Sequence, residues 1–402
     1  MLCQLRLAYT KTAAGAVLAL SASAANAGII IPAGEWTVDI SGNVNSFYSQ
    51  VKANGTATVN GGLASGNAAS VNSQGTGLLP NFLSFAGTTR QNDLDVTWLI
   101  SIQPGGDIGA SGGSMGTQNN RQAYFTFGDK SWGTVLMGKN IGIFAQDAIL
   151  NDMTLLGVGA CAGVGNATCG RIGTGFQYAD WKSQVNYTTP NMNGFQATVG
   201  LTQGWNATAT TGASSLATTN RGGGNPAYEG KASYSFSVND VTGKVWVSGI
   251  AQKIGGGTLT TDDPVAQAAD IGANVNVAGF GLTGYYYGGQ GMGTTFQFKD
   301  GYSANGKARD SDGGYVQATY KLPTNTKLGI AWGESNLDAN ATGDLGRTSA
   351  FVKSQELWSA GLYHPLTKHL NLVAEYNKAE SEGNTGTKSK VQSVSFGGIL
   401  FF

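Results

Sequence analysis

Charge is scarce in this chain. Lys and Arg number 24 and Asp and Glu 24, together 12% of 402 residues, about half the usual share. With no basic excess and no basic stripe, nucleic acid is excluded as a partner. Histidine occurs twice, at His364 and His369, on either side of one short polar segment. Acid–base or nucleophilic chemistry built on His therefore has little to draw on, and both read as turn residues. No Gly-Lys-Ser/Thr phosphate loop occurs among the 62 glycines. Asp310-Ser311-Asp312-Gly313-Gly314 has the start of a calcium loop but lacks the later acidic ligand, so it reads as solvated polar loop. No enzyme, metal or cofactor is expected. Proline is rare, at 8, and no run reaches the ~18 apolar residues of a membrane-spanning helix.

What is plentiful is glycine together with 16 Phe, 15 Tyr and 8 Trp spread along the whole length. So many aromatics argue against a disordered chain, and the combination suggests many short strands joined by open loops. The first 27 residues have the pattern of a cleaved secretory leader. Arg6 and Lys11 form a basic start, "TAAGAVLALSASA" a short apolar stretch, and Ala25-Asn26-Ala27 a small-x-small cleavage site. Without Arg6 and Lys11 the remainder, 28–402, has 22 basic and 24 acidic residues, a net charge of −2. Of three cysteines, Cys3 belongs to the leader. Cys161 and Cys169 stand in "CAGVGNATC", a spacing that matches neither a redox Cys-x-x-Cys nor a zinc knuckle. In an exported protein this pair reads as a disulfide that shapes a loop, the alternative being two unpaired thiols.

Alternation of period two dominates the rest, the signature of strands with one apolar and one polar face. Trp36, Val38, Ile40, Val44 and Tyr48 share one parity, while Thr37, Asp39, Ser41, Asn43 and Asn45 share the other. Leu94, Val96, Trp98, Ile100 and Ile102 oppose Asp95, Thr97, Ser101 and Gln103 in the same way. Sixteen segments of this kind are predicted, at 35–51, 79–88, 92–103, 120–128, 133–139, 182–188, 194–203, 227–237, 242–253, 269–277, 280–288, 314–322, 326–335, 355–363, 369–379 and 391–402. Their connections alternate between short turns such as "DKSW" and "PTN" and long Gly/Ser/Thr/Asn-rich loops, the longest at 140–181. An even strand number with short turns at one end and long loops at the other describes a transmembrane barrel. The physical cause is that hydrocarbon leaves no backbone N–H or C=O unpaired, which only a helix or a closed sheet achieves. Tyr187, Tyr320 and Tyr363 precede three of the short turns, where an interfacial aromatic girdle would lie.

Four fragments carry a family resemblance: "NFLSFAGTTRQNDLDVTWLISIQ" (81–103), "NRQAYFTFGDKSWGTVLMGKN" (120–140), "VNYTTPNMNGFQATVGL" (185–201) and "LYHPLTKHLNLVAEYNKAE" (362–380), together with the final Phe402. In this order they resemble the trimeric general porins of Gram-negative outer membranes, in the β-proteobacterial subgroup, with Lys139 where an Arg is usual. The resemblance implies an all-β, sixteen-stranded antiparallel outer-membrane barrel with short periplasmic turns, long extracellular loops and a third loop folded into the lumen. It implies a homotrimer among outer-membrane lipid and lipopolysaccharide, passing small hydrophilic solutes and ions. It also implies that Phe402 is the address read by the barrel-assembly machinery.

"IGIFAQDAILNDMTLLGVGA" (141–160) is too apolar for a loop in water, in keeping with an inward fold. Asp147 and Asp152 would then face the lumen, opposed by Arg121, Lys139, Arg171 and Lys182 across a constriction with a transverse field. The competing reading makes both aspartates caps of a loop helix or ties between loop and wall. In "VQSVSFGGILFF", Val394, Phe396, Leu400 and Phe402 should face lipid or a neighbouring subunit while closing the sheet against 35–51. Ile399 and Phe401 break the alternation, which predicts that Phe401 packs inward. Alternatives to a general diffusion channel are a solute-selective channel and a plugged, structural or adhesive barrel.

Overall fold

The period-two pattern becomes a sheet closed on itself. The computed structural model describes residues 28–54, 58–64, 70–105, 118–162, 167–208, 225–254, 264–303, 306–339 and 351–402. The leader expected at 1–27 lies outside the described residues. The strands are β1 (Ile29–Ala33), β2 (Trp36–Asn54), β3 (Val71–Gly75), β4 (Phe82–Gln91), β5 (Leu94–Pro104), β6 (Gln118–Asp129), β7 (Gly133–Ile141), β8 (Trp181–Thr188) and β9 (Phe195–Thr202). They continue with β10 (Ala227–Val238), β11 (Val241–Lys253), β12 (Val265–Val277), β13 (Phe280–Gln290), β14 (Asp310–Lys321), β15 (Lys327–Leu337), β16 (Val352–Pro365), β17 (Leu370–Gly383) and β18 (Lys388–Phe401).

Sixteen of these form the barrel wall. β2 pairs with β4, each strand from β4 to β18 pairs antiparallel with the next, and β18 returns to β2. All sixteen predicted strands are present. Two short strands were not anticipated. β1 folds back on the foot of β2, Ile29 opposite Ile40, while β18 ends its pairing at Phe401 opposite Asn43. Because β4 occupies the other edge of β2 at that level, β1 and β18 share one edge, end to end. Above β4, β3 pairs with the upper part of β2, Val71 opposite Val51. Together they leave little of either edge of β2 unpaired, in the way that closure removes sheet edges.

Short turns follow from residues that tolerate a left-handed backbone. Asn92 and Asp93 join β4 to β5 with φ of 48° and 60°, the two-residue hairpin that matches strand twist. Side chains then sort by parity. Val44, Val394 and Phe396 stand 55%, 53% and 58% exposed on the outer face, as a lipid-facing band requires. Ser49 and Ser395 face inward and bond across the seam at 2.7 Å. Ile399 and Phe401 also point inward, buried in one cluster with Leu78 and Leu79, so the closing strand is apolar on both faces where the alternation lapses.

The interior is far from empty. The described residues of the β7–β8 connection, 142–162 and 167–180, are almost wholly buried. It carries a six-residue helix α1 (Gln146–Asn151) and a 3-10 turn at Met153–Leu156. Residues of 291–303 and of 58–64 and 76–81 are buried as well, so parts of three connections line or fill the lumen. The sequence pointed to one of them.

Candidate functional site

Two wall carboxylates fasten the β7–β8 loop by its backbone. On β10, Glu229 Oε2 accepts the N–H groups of Ile143 (2.7 Å) and Phe144 (2.8 Å), where the loop leaves β7. Its Oε1 accepts Lys182 Nζ at 2.6 Å and the Thr202 hydroxyl at 2.7 Å. On β17, Glu375 Oε2 accepts the N–H groups of Val158 (2.8 Å) and Gly159 (2.9 Å), midway along the loop. The Tyr363 hydroxyl donates to its Oε1 at 2.6 Å. The approach is so close that a Cβ on Gly157 would stand 1.8 Å from Glu375 Oε1, which leaves glycine as the residue that fits. Consecutive N–H groups around one carboxylate make strong, charge-assisted bonds. Both clamps exist because a loop inside a barrel must pair its amides with something other than water.

The expected acid–base constriction is rearranged by the same demand. Asp147 and Asp152 are each 4% exposed and do not line an open passage. Asp147, in α1, is paired with Lys231 of β10 at 3.0 Å and with Lys244 of β11. Burial alone would push its carboxyl up, but the two ammonium groups outweigh it and hold it below the usual carboxylate range. Asp152 accepts the Thr154 N–H at 3.1 Å and the Thr154 hydroxyl, and lies 3.7 Å from Arg171 Nε. Arg171 is fully buried and donates to Leu357 O (2.9 Å) and Ser359 Oγ (3.1 Å) on β16. Lys182, at 1% exposure, is held by Glu229 and by Gln297 Oε1 at 2.6 Å. Asp147 and Arg171 tie the loop to the wall, Asp152 braces Arg171 within the loop, and Lys182 on β8 neutralises the clamp residue Glu229. The physical reason is that a buried charge without a partner costs several kcal/mol, so charges carried inward by the loop are consumed in holding it. β14 completes the docking: the Tyr315 hydroxyl donates to Ala148 O at 2.8 Å and Gln317 Nε2 to Asn151 O at 2.7 Å.

Arg121 and Lys139 are the two expected residues that meet open space. They line a polar cavity of about 450 Å3 with Asp180, Tyr178, Trp181 and Trp205. A bulge between β5 and β6, where Gln122 faces Ser101 but Asn119 faces Gln103, falls beside Arg121. The Arg121 N–H donates to Gln103 Oε1 at 2.9 Å, and its guanidinium lies 5.8 Å from the Trp181 ring centroid. Lys139 Nζ donates to Asn120 O at 2.7 Å. Burial pushes the Asp180 carboxyl up, against the opposing pull of the Trp181 N–H and the nearby cations. A second cavity of about 210 Å3, mostly apolar, lies between the β7–β8 loop and the wall and shares Arg121, Tyr178 and Trp181 with the first.

Cys161 and Cys169 are joined, with Cα atoms 5.3 Å apart, and pack beside Leu357 and Ala379 of the wall. Phe396 and Leu400 are on the outer face. Phe402 exchanges backbone bonds with Gly42 at 2.8 and 3.1 Å, completing the seam. The wall residues Glu229, Glu375, Lys231 and Lys244 were missed from the sequence. Their one signal was a charge on an inward, otherwise small or polar parity. Among the described residues no group of His, Cys, Asp and Glu is arranged to hold a metal.

A closed sheet, apolar outside and narrowed within by a folded loop, defines a transmembrane β-barrel of the channel-forming class. The chain matches the model of the Gram-negative porin family over residues 13–384, and it belongs to that family, in the bacterial outer membrane. A comparison with curated protein sequences gives no match. Among solved structures, it is similar to the outer membrane channel DcaP of Acinetobacter baumannii, with a TM-score of 0.69 at 18% identity, covering 94% of this chain and 100% of that one. It is also similar to OmpF of Salmonella typhi (TM-score 0.60, 12% identity, 93% and 100%). The third is an anion-selective porin from Comamonas acidovorans (0.59, 14%, 92% and 100%). The protein is thus an outer-membrane channel.

Proposed function

We propose that this channel passes small solutes by passive diffusion, filtered by size and charge where the β7–β8 loop faces the wall of β6–β8. The observation that carries the reading is the contrast between spent and unspent charge. Asp147, Asp152, Arg171 and Lys182 are locked in the loop's docking, whereas no ion pair joins the Arg121 guanidinium to another described residue. With Lys139 beside it, the open space carries two cations against Asp180, a bias that favours anions. Export with removal of residues 1–27, a barrel domain of 28–402, recognition of Phe402 by the assembly machinery and a homotrimer belong to the same reading. Planar-bilayer recording in a salt gradient tests it. Large conductance steps with a reversal potential of the anion-preferring sign are expected. An absence of steps would mean a plugged barrel, and a cation-signed potential would refute the role given to Arg121.

A further inference from the structure

We propose, resting on that channel reading, that the cavity beside Arg121 is a binding subsite for a small carboxylate carrying a single ring. The cavity is about 210 Å3 and its walls include Leu79, Ile149, Leu155 and Ile172, with Trp181 and Arg121 at the side it shares with the polar cavity. A void of about 150 Å3 lined by Leu, Ile and Phe holds benzene, so this one has room for a ring and a substituent. Hydrophilic solutes fit its chemistry poorly. A sugar placed here would turn most of its hydroxyls toward apolar side chains, a costly arrangement.

Arg121 supplies the polar end. Four other charges at the loop are spent on partners: Asp147 on two lysines, Lys182 on Glu229, Arg171 on β16, and Asp152 on Arg171. The Arg121 guanidinium lies against the Trp181 ring and forms no ion pair with another described residue. A guanidinium that shares its cavity with Asp180 but forms no ion pair with it, next to an apolar pocket, is suited to take a carboxylate bidentately while the ring is covered. The same two features set the order of preference. Burying a ring rather than a methyl group favours the larger acid by roughly 10- to 100-fold. Exchanging carboxylate for alcohol removes the charge-assisted bond.

The test uses benzoate, acetate and benzyl alcohol on the full protein in detergent by calorimetry, and in bilayers as block of the KCl current. Benzoate should bind at least about tenfold more tightly than acetate and than benzyl alcohol, and its block should saturate. In Arg121→Gln the advantage over benzyl alcohol should disappear while that over acetate remains. Equal effects of benzoate and acetate on a protein with normal KCl steps would overturn the subsite and leave the channel reading standing. If no KCl steps appear the channel reading fails, and the wild-type calorimetry still decides the subsite. The wild-type comparison of the three ligands also stands alone should Arg121→Gln fail to assemble.

Discussion

Deleting the Glu229 carboxylate should open the β7–β8 loop without melting the barrel. In Glu229→Ala the N–H groups of Ile143 and Phe144 lose their acceptor, and Lys182, 1% exposed, loses its counter-ion. Breaking a buried pair by removing one partner costs about 3–5 kcal/mol. The wall itself loses nothing of its ladder, because Glu229 still pairs through its backbone with Gly200 and Ile250. The penalty therefore falls on the docked loop, and the open-loop population should rise by about 10^2- to 10^4-fold. Limited proteolysis of the assembled protein in detergent reads this directly: cleavage within 142–180 should appear while the barrel persists as a folded, heat-modifiable species on gels. Glu229→Ala combined with Lys182→Met, which removes the stranded ammonium, should recover part of the protection. If Glu229→Ala left the loop as resistant as in the native protein, the clamp argument would be wrong. A collapse of the whole barrel would equally refute the separation of loop from wall.

Two further outcomes follow from the same loop. Asp147 titrates below the ordinary aspartate value of 3.8 in the folded protein, so its contribution to docking is complete above 3.8 and is lost as pH falls through the depressed value. Asp147→Asn should show higher channel noise than the native protein at pH 7, and that difference should persist down to 3.8 and close below it as Asp147 itself is protonated; a profile identical in both proteins would exclude Asp147 as a titrating group of the loop. Reducing Cys161–Cys169, or replacing both by Ser, removes a constraint worth about 2–3 kcal/mol to the closed segment. Noise should increase and the closing voltage fall while barrel stability is unaffected, and an unchanged closing voltage and noise would show that the bond does not restrain the constriction.

The wall was legible because its signal is local. Each strand in hydrocarbon needs apolar residues every second position, and that constraint is written in consecutive letters, as in Leu94 to Gln103. Even its lapse was readable: Ile399 and Phe401 break parity and do pack inward. The strands β1 and β3 escaped because each is five residues long and is defined by the edge of β2 it covers. The buried parts of 291–303 escaped as well. Met292, Phe298 and Tyr302 are buried, but they are spaced among glycines and polar residues with no strand or helix period.

Partnership among the charges was beyond the sequence altogether. Asp147 meets Lys244 across 97 positions and Glu375 meets Val158 across 217, distances over which no spacing rule operates. The letters alone determined that the chain is a two-faced sheet whose only stable form in a membrane is closed, since unpaired backbone in hydrocarbon is forbidden. Which charges face open space and which are locked away was decided by the tertiary structure. A loop brought inside must neutralise its own charges, so Asp147 is held by lysines of the wall and Asp152 sits beside the loop's own Arg171, while Arg121 enters no ion pair among the described residues.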